Sequence, residues 1–174
     1  IFRDYMESIA LSMMTYGTTK IVFVNGHGGN TMALLEVCER LRRKHDVFGC
    51  IITSYPAGIG GGGHAGSGET SQNLFFHPHL VKMDKAISTE QKTMLGPFKM
   101  SGINKIGPAL FPWDTIDLTD TGLLGSAGST VEATTASIEM GKQLMEPHLE
   151  ELVQFIEKMK KADVKALLTK PRHM

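Results

Sequence analysis

The apolar positions at the start of the chain follow two different spacings. An i, i+3, i+4 spacing predicts an amphipathic helix that ends near Gly17, and its apolar positions are Phe2, Tyr5, Met6, Ile9, Ala10 and Met13. Residues 21–24 (Ile-Val-Phe-Val) are apolar at every position, which is typical of a strand buried on both faces of a parallel sheet. The pattern therefore predicts a helix followed by a buried strand.

The same alternation continues up to Pro56. Helical spacing returns at Leu34, Val37, Cys38 and Leu41, with Asn30 or Thr31 as the N-cap and basic residues in the last turn. Residues 50–52 predict a second strand that ends near Tyr55. Strand, helix and strand in this order predict a right-handed βαβ unit, and therefore an α/β fold whose sheet is mostly parallel.

The second half of the chain is less regular. Residues 69–76 predict a short helix that His77 and Pro78 end. Residues 84–128 have weak periodicity and contain prolines, so we expect long loops with one short strand or hairpin. Helices are predicted over 131–145 and 149–159, with Pro147 breaking or restarting the helical pattern and a frayed basic tail from Lys160.

Composition and charge restrict the class of protein. The chain has 174 residues, which suits one domain over 1–174, and Lys plus Arg equals Asp plus Glu at 18 each. Balanced charge gives no reason to expect a nucleic-acid partner, and no apolar run is long enough to predict a membrane span. Cys38 and Cys50 lack a CxxC spacing, which favours reduced thiols in a cytoplasmic protein over a disulfide.

Glycine is concentrated in two loops that each follow a predicted strand. The first reads Asn25-Gly26-His27-Gly28-Gly29-Asn30. Ligands collect at the carboxyl ends of strands in open α/β sheets, and neutral imidazole is a common metal ligand. His27 could also belong to a plain turn, but a plain turn does not need so many glycines. We therefore take His27 as a candidate metal ligand.

The second glycine-rich loop contains His64 and leads into Glu69. Each residue alone has an ordinary interpretation, His64 as a solvent-facing loop histidine and Glu69 as an acid in the first turn of a helix. Two histidines and a glutamate on neighbouring strand ends, however, form a plausible ligand set for a divalent metal.

Two other site types compete for the second loop. Gly58, Gly60 and Gly63 satisfy the GxGxxG dinucleotide fingerprint, but the helix pattern begins only near Glu69 and no strand ending in an acid follows at the usual distance. Ser67 and Ser71 suggest a serine hydrolase, but neither lies in a G-x-S-x-G elbow. We interpret Thr70 and Ser71 as first-turn hydrogen-bonding residues.

Two motifs together resemble a known family. Asn-Gly-His-Gly-Gly-Asn at 25–30, followed by His-Ala-Gly-x-x-Glu-Thr-Ser at 64–71, resembles the creatininase (creatinine amidohydrolase) family. A looser similarity follows at 125–128 (Gly-Ser-Ala-Gly) and at 136–141. The resemblance implies a three-layer α/β/α fold with a mostly parallel sheet, and a closed homo-oligomer, a hexamer, that acts on a small-molecule substrate.

The resemblance also implies a site and a reaction. It makes His27 and Glu69 metal ligands and His64 the proton carrier, at a site that holds two divalent metals, zinc or else manganese. The reaction implied is hydrolysis of an amide C–N bond by a metal-activated water, with the backbone of the first loop (Gly28, Gly29 and Asn30) binding the substrate and its oxyanion.

Departures from the family pattern limit the substrate. Creatininase has a glutamate at the position of Gly29, and a tryptophan and an aspartate where this chain has glycines before His64. We therefore do not expect creatinine to be the substrate. A carbon–carbon hydrolase of an oxidised inositol (a cyclic diketone) and an inactive fragment or binding module remain alternatives.

The family also supplies a Glu-x-His pair and a bridging aspartate from a segment near its N-terminus. No such segment precedes Ile1 in this sequence. We therefore expect residues 1–174 to lack an N-terminal segment that completes the metal site. We further expect the irregular residues 94–113 to contact a neighbouring subunit or cover the site, with Trp113 near its mouth.

Overall fold

The computed structural model describes residues 1–56 and 64–169. Its α-helices are α1 (Phe2–Met14), α2 (Thr31–His45), α3 (Ser67–Phe76), α4 (Thr115–Leu118), α5 (Ile138–Lys161) and α6 (Val164–Leu167). Its strands are β1 (Lys20–Asn25), β2 (Phe48–Thr53), β3 (Ser88–Glu90), β4 (Met94–Leu95), β5 (Phe98–Lys99), β6 (Lys105–Ile106), β7 (Ala109–Leu110) and β8 (Thr130–Glu132). The chain divides into two compact units, residues 1–55 with 148–174, and residues 56–147.

The first unit contains the predicted βαβ arrangement. Strands β1 and β2 pair in parallel, from Lys20 opposite Phe48 to Asn25 opposite Thr53, and α2 connects them. The core of this unit is formed by one continuous set of buried residues, Ala10, Ile21, Phe23, Leu34, Val37, Cys38, Leu41 and Val47. The predicted elements of the first 55 residues are therefore confirmed.

The two faces of β1 differ in burial among the described residues. Ile21 and Phe23 point into the core with α1 and α2, but Val24 is 62% exposed. Side chains alternate along a strand, so Val24 points to the opposite face, which the described residues leave open at this position. Among the described residues, the apolar run of β1 is therefore fully buried on one face only.

The start of α2 also differs from the prediction. Asn30 is the N-cap residue but has a helical backbone and makes no side-chain capping hydrogen bond, because a 3-10 turn at Gly28–Asn30 leads directly into the helix. The side chain of Asn30 instead donates to Asn25 Oδ1 at 3.3 Å.

Polar contacts between α1 and α2 centre on Arg40. Its guanidinium donates to Asp4 (3.1 Å), Glu7 (3.0 Å) and Glu36 (2.7 Å). These hydrogen bonds hold the pKa of the Asp4 and Glu36 carboxyls below their ordinary values. Arg40 thus binds acids from both helices, rather than acting as one of the basic residues at the end of α2.

Both cysteines are free thiols, as predicted. Burial raises the pKa of the Cys38 thiol to about 11, and the neighbouring Cys50 adds to this shift. Burial also raises the pKa of Cys50. Both thiols are therefore protonated and weakly reactive at neutral pH.

The second unit is richer in strands than predicted. Strand β3 pairs with β8, β4 with β5 and β6 with β7, each antiparallel. The last two pairs are tight hairpins, and each one turns through its own Gly-Pro dipeptide. The two turn glycines, Gly96 and Gly107, have φ of +55° and +52°. Glycine adopts positive φ without steric cost, and proline fixes the next residue, so these dipeptides were a hairpin signal that the periodicity analysis missed.

Two helix predictions near the end of the chain need correction. Val131 lies in β8, paired with Thr89 and 2% exposed, so the helix predicted over 131–145 does not begin there. Helix α5 begins at Ile138 and continues through Pro147 to Lys161. A proline lacks the N–H that would bond the Gln143 carbonyl, but the helix does not end there.

The tail is also more ordered than expected, because α6 follows α5.

Among the described residues no helix is both long and apolar enough to cross a membrane.

Helices α3 and α5 approach closely at Gly141. A Cβ added there would lie 2.0 Å from the Ser71 carbonyl oxygen and 2.8 Å from Phe75 Cβ. Only glycine fits this approach.

Helix α3 begins two residues earlier than predicted and ends at His77, as expected.

Candidate active site

The first glycine-rich loop is held by a buried side chain at the end of β1. Asn25 is 3% exposed, and its amide nitrogen donates to His27 O (2.8 Å) and Thr31 Oγ1 (3.2 Å). Its amide oxygen accepts from His27 N and from Asn30 Nδ2, both at 3.3 Å. One side chain thus ties the loop to the strand and to the start of α2.

The imidazole of His27 is exposed and turned back onto its own loop. Its Nδ1 accepts from Gly29 N at 3.1 Å, and a Cβ on Gly29 would lie 3.0 Å from that nitrogen. A side chain at Gly29 would therefore displace the ring. Since Nδ1 accepts, the neutral ring carries its proton on Nε2, which has no hydrogen-bond partner in the described part of the chain.

A second buried side-chain amide, that of Gln91, supports the backbone that pairs with His64. His64 and Leu124 exchange two backbone hydrogen bonds, of 2.7 and 3.0 Å. Gln91, 4% exposed, donates to Leu123 O (2.8 Å) and accepts from Gly125 N (3.1 Å). Gln91 therefore hydrogen-bonds both sequence neighbours of Leu124, the residue that pairs with His64.

Glu69 lies in the first turn of α3 and beside His64. Its Oε2 accepts from Ala65 N at 2.6 Å and lies 3.6 Å from His64 Nδ1. Ala65 has φ of +58°, a left-handed conformation that is costly for a residue with a Cβ. In this conformation the backbone amide of Ala65 donates to the Glu69 carboxylate. Glu69 and His64 thus form an ion pair whenever the imidazole is protonated.

A cleft opens beside this pair. It has a volume of about 370 Å³, and its lining residues are His64, Ala65, Glu69, Thr70, Asn73, Leu80, Val81 and Lys82. The side chains of His64 and Glu69 are 59% and 47% exposed, so both are accessible to a small molecule. Sequence reasoning did not select Asn73, within α3, or Lys82, after it, because a polar residue outside any motif resembles any surface residue. Only the fold reveals that they line a cleft with His64.

The hydroxyls near Glu69 are structural. Ser71 is 0% exposed, and its Oγ accepts from Ser137 N at 3.0 Å. Thr70 Oγ1 donates to Ala65 O at 3.3 Å. The interpretation of both as hydrogen-bonding residues is confirmed, and the burial of Ser71 excludes it as a nucleophile. The competing fingerprint glycines, Gly58, Gly60 and Gly63, lie outside the described residues.

The donor types present suit a divalent metal, but the ligand set is incomplete. Imidazole and carboxylate are the usual ligands of zinc in proteins, and such sites use three or four of them. Within residues 1–56 and 64–169, no three His, Cys, Asp or Glu side chains form a cluster that could hold an ion. Residues of matching chemistry are present at His27 and Glu69.

The structure brings together two of the three candidate residues. His64 and Glu69 are neighbours in the second unit, whereas His27 lies in the first. The convergence of His27 with Glu69 stays a prediction. In the first loop, Gly29 N and Asn30 N are already hydrogen-bonded to His27. The roles of Gly28, Gly29 and Asn30 in substrate binding also stay predictions.

Comparison with known proteins gives consistent results by sequence. The family model described as creatininase, creatinine amidohydrolase, matches residues 1–156. A mycofactocin precursor peptide peptidase from Mycobacterium tuberculosis (strain CDC 1551 / Oshkosh) is 27% identical over 154 residues, which are 85% of this chain and 54% of the peptidase. A peptidase of the same description from Mycobacterium ulcerans (strain Agy99) is 35% identical over 85 residues, 45% of this chain and 33% of that protein.

Solved structures agree on the fold. A structure from Bacteroides fragilis NCTC 9343, described as a creatinine amidohydrolase, has a TM-score of 0.68 at 24% identity and covers 92% of this chain and 62% of its own. A mutant creatininase of Zn–Zn type has a TM-score of 0.66 at 22% identity and covers 92% and 64%. The predicted creatininase-like α/β fold is confirmed. The chain spans about half the length of the M. tuberculosis peptidase and about a third of the M. ulcerans one.

Proposed function

The chain belongs to the creatininase family, and from this membership we propose that it is part of a metal-dependent hydrolase that cleaves an amide C–N bond in a small molecule. The observation that carries the proposal is the His64–Glu69 pair, 3.6 Å apart at an open cleft. A histidine beside a carboxylate is a common arrangement for proton transfer.

His27 and Glu69 are the residues that would hold the metal. Glu69 Oε2 is engaged by Ala65 N, but Oε1 has no hydrogen-bond partner among the described residues and is available as a ligand. His27 can bind through Nε2 only if its proton moves to Nδ1, which then can no longer accept from Gly29 N. When bound, zinc or manganese supplies Lewis acidity and lowers the pKa of a coordinated water.

His64 would deliver a proton to the leaving nitrogen. Its ring is exposed to the cleft, its backbone is fixed through Leu124, and the Glu69 carboxylate lies 3.6 Å from Nδ1. This arrangement leaves Nε2 to face the substrate. The amide nitrogen becomes a good leaving group once it accepts that proton.

We favour an amide of peptide type over creatinine as the substrate. The curated relatives are described as peptide peptidases. The Gly29 position supports the same view, because a Cβ there would lie 3.0 Å from His27 Nδ1, so a glutamate would require the His27 ring to shift.

We also propose that the protein is a cytoplasmic homo-oligomer, a hexamer as the family resemblance implies. Exposed apolar side chains of the segment 94–113 support an interface, since Phe98 is 57%, Leu110 72% and Trp113 37% exposed. Light scattering on the purified protein should report a closed multiple of the subunit mass, and a monomer at micromolar concentration would contradict this part of the proposal.

The reaction class can be tested with a substrate panel. The enzyme is stripped with EDTA, reloaded with zinc or manganese, and assayed with N-acetylated dipeptides, creatinine and an oxidised inositol. Metal-dependent release of amine from the peptides alone would support the proposal. Turnover of only the cyclic diketone would assign a carbon–carbon hydrolase instead. Binding without any turnover would indicate an inactive binding module.

A further inference from the structure

A second cleft adjoins the one beside His64. It has a volume of about 280 Å³ and shares Ala65, Thr70, Val81 and Lys82 with the first. Lys82 therefore lines both spaces, close in the chain to the end of α3. We propose that Lys82 is a specificity-determining residue that selects amide substrates bearing a carboxylate, a proposal that rests on the amidase function above and narrows its substrate class.

The charges along the two clefts support an anionic substrate. Lys82 and Lys85 are exposed, and their ammonium groups pair with no carboxylate in the described part of the chain. Among the described residues, Glu69 is the only acid that lines either cleft, and its carboxylate is already bonded to Ala65 N. Asp84 lies between the two lysines in sequence but lines neither cleft. Two unpaired cations remain to attract a carboxylate.

The remaining walls describe the rest of such a substrate. The second cleft is lined mostly by apolar residues, Val81, Met83, Ala86, Ile87, Leu123 and Ala133. An apolar side chain fits these walls while a carboxylate on the same residue reaches Lys82. The substrate class is thus an N-acylated amino acid or short peptide with an apolar residue next to the scissile amide. A substrate whose carboxylate is replaced by a neutral carboxamide would lack the contact with Lys82.

The test compares a carboxylate with its neutral amide. The probes are N-acetyl-glycyl-leucine and N-acetyl-glycyl-leucinamide, and the variants are Lys82→Gln and the control Lys99→Gln, an exposed lysine of β5 that lines neither cleft. We expect Lys82→Gln to raise KM for the carboxylate by about 10-fold, with less than about a 2-fold change for the amide and little change in kcat. Lys99→Gln should leave both KM values unchanged.

Binding separates this proposal from the amidase function. Affinity of the same two probes is measured by NMR titration at low and high salt. The wild type should bind the carboxylate more tightly, the preference should weaken with salt, and Lys82→Gln should abolish it. If neither probe is hydrolysed but this binding pattern holds, the amidase function fails and the role of Lys82 stands. Equal affinity of the wild type for both probes, or the same loss in Lys99→Gln, would overturn the role of Lys82.

Discussion

Two buried side-chain amides fix the backbone beneath the candidate site residues. Asn25 organises the loop that carries His27, and Gln91 holds the residues on either side of Leu124, which bonds to His64. Neither amide is left with an unsatisfied buried atom. Because a buried amide without partners is costly, each one stabilises a single backbone arrangement.

Replacing Gln91 should weaken both stability and catalysis. Gln91→Leu leaves Leu123 O and Gly125 N without partners, so we expect a loss of about 2–4 kcal/mol in unfolding free energy, measured by urea denaturation. Gln143→Leu is the control, since Gln143 bonds only the exposed Glu139 in α5. Equal stability of the two variants would show that Gln91 contributes little. In folded Gln91→Leu, kcat should fall while metal content is retained.

The Cys38 thiol predicts a particular pH dependence. Its pKa is raised from 9.0 to about 11, so the folded state favours the neutral thiol, and this stability is present below pH 9 and is lost as pH rises toward 11. Alkylation of Cys38 by iodoacetamide at pH 8 should be at least about 10-fold slower in native than in denatured protein. Equal rates would show that the thiol is accessible and that burial does not raise its pKa.

At the scale of the elements, the ammonium group of Lys20 joins β1 to the end of α5. Lys20 Nζ donates to the carbonyls of Met159 (2.8 Å), Lys160 (2.9 Å) and Ala162 (2.7 Å). These are carbonyls at the C-terminal end of a helix, where the dipole favours a cation. Lys20 thus anchors the end of α5 to the parallel strand pair.

Removing this contact should destabilise the protein. Lys20→Met keeps the aliphatic stem but removes the Lys20 hydrogen bonds to three carbonyls, of which Met159 O still accepts from Ala162 N. We expect a loss of about 2 kcal/mol, read as a lower Tm by calorimetry. Lys158→Met, on the exposed side of the same helix end, is the matched control. A Tm change no larger than that of the control would contradict the anchoring role.

Elements with strong periodicity could be predicted from the sequence, and those set by distant contacts could not. Helices α1 and α2 and strand β1 each carry a full apolar stripe or run, so their local pattern sufficed. Val131, in β8, was misassigned because its partner Thr89, in β3, is distant in the chain. Pro147 was predicted to break or restart the helix from the local effect of proline, but α5 continues through it.

At the scale of the whole molecule, motif chemistry predicted candidate site residues but not the residues that surround them. His64 and Glu69 were candidates from the same motif, and in the structure Glu69 Oε2 lies 3.6 Å from His64 Nδ1. Lys82 and Gln91 had no motif to mark them, because their roles depend on the fold around them. The convergence of His27 with this pair belongs to the arrangement of the two units and stays a prediction.

Metal content measured alongside turnover tests the central claim most directly. Zinc is quantified by mass spectrometry in the wild type, His27→Ala, His64→Asn and the control His79→Asn, and kcat is measured on the same samples. We predict that His27→Ala loses both metal and turnover, whereas His64→Asn keeps its metal and loses about 10²–10³-fold in kcat. His79→Asn should match the wild type. Full metal and turnover in His27→Ala, or wild-type turnover in His64→Asn, would contradict the assigned site.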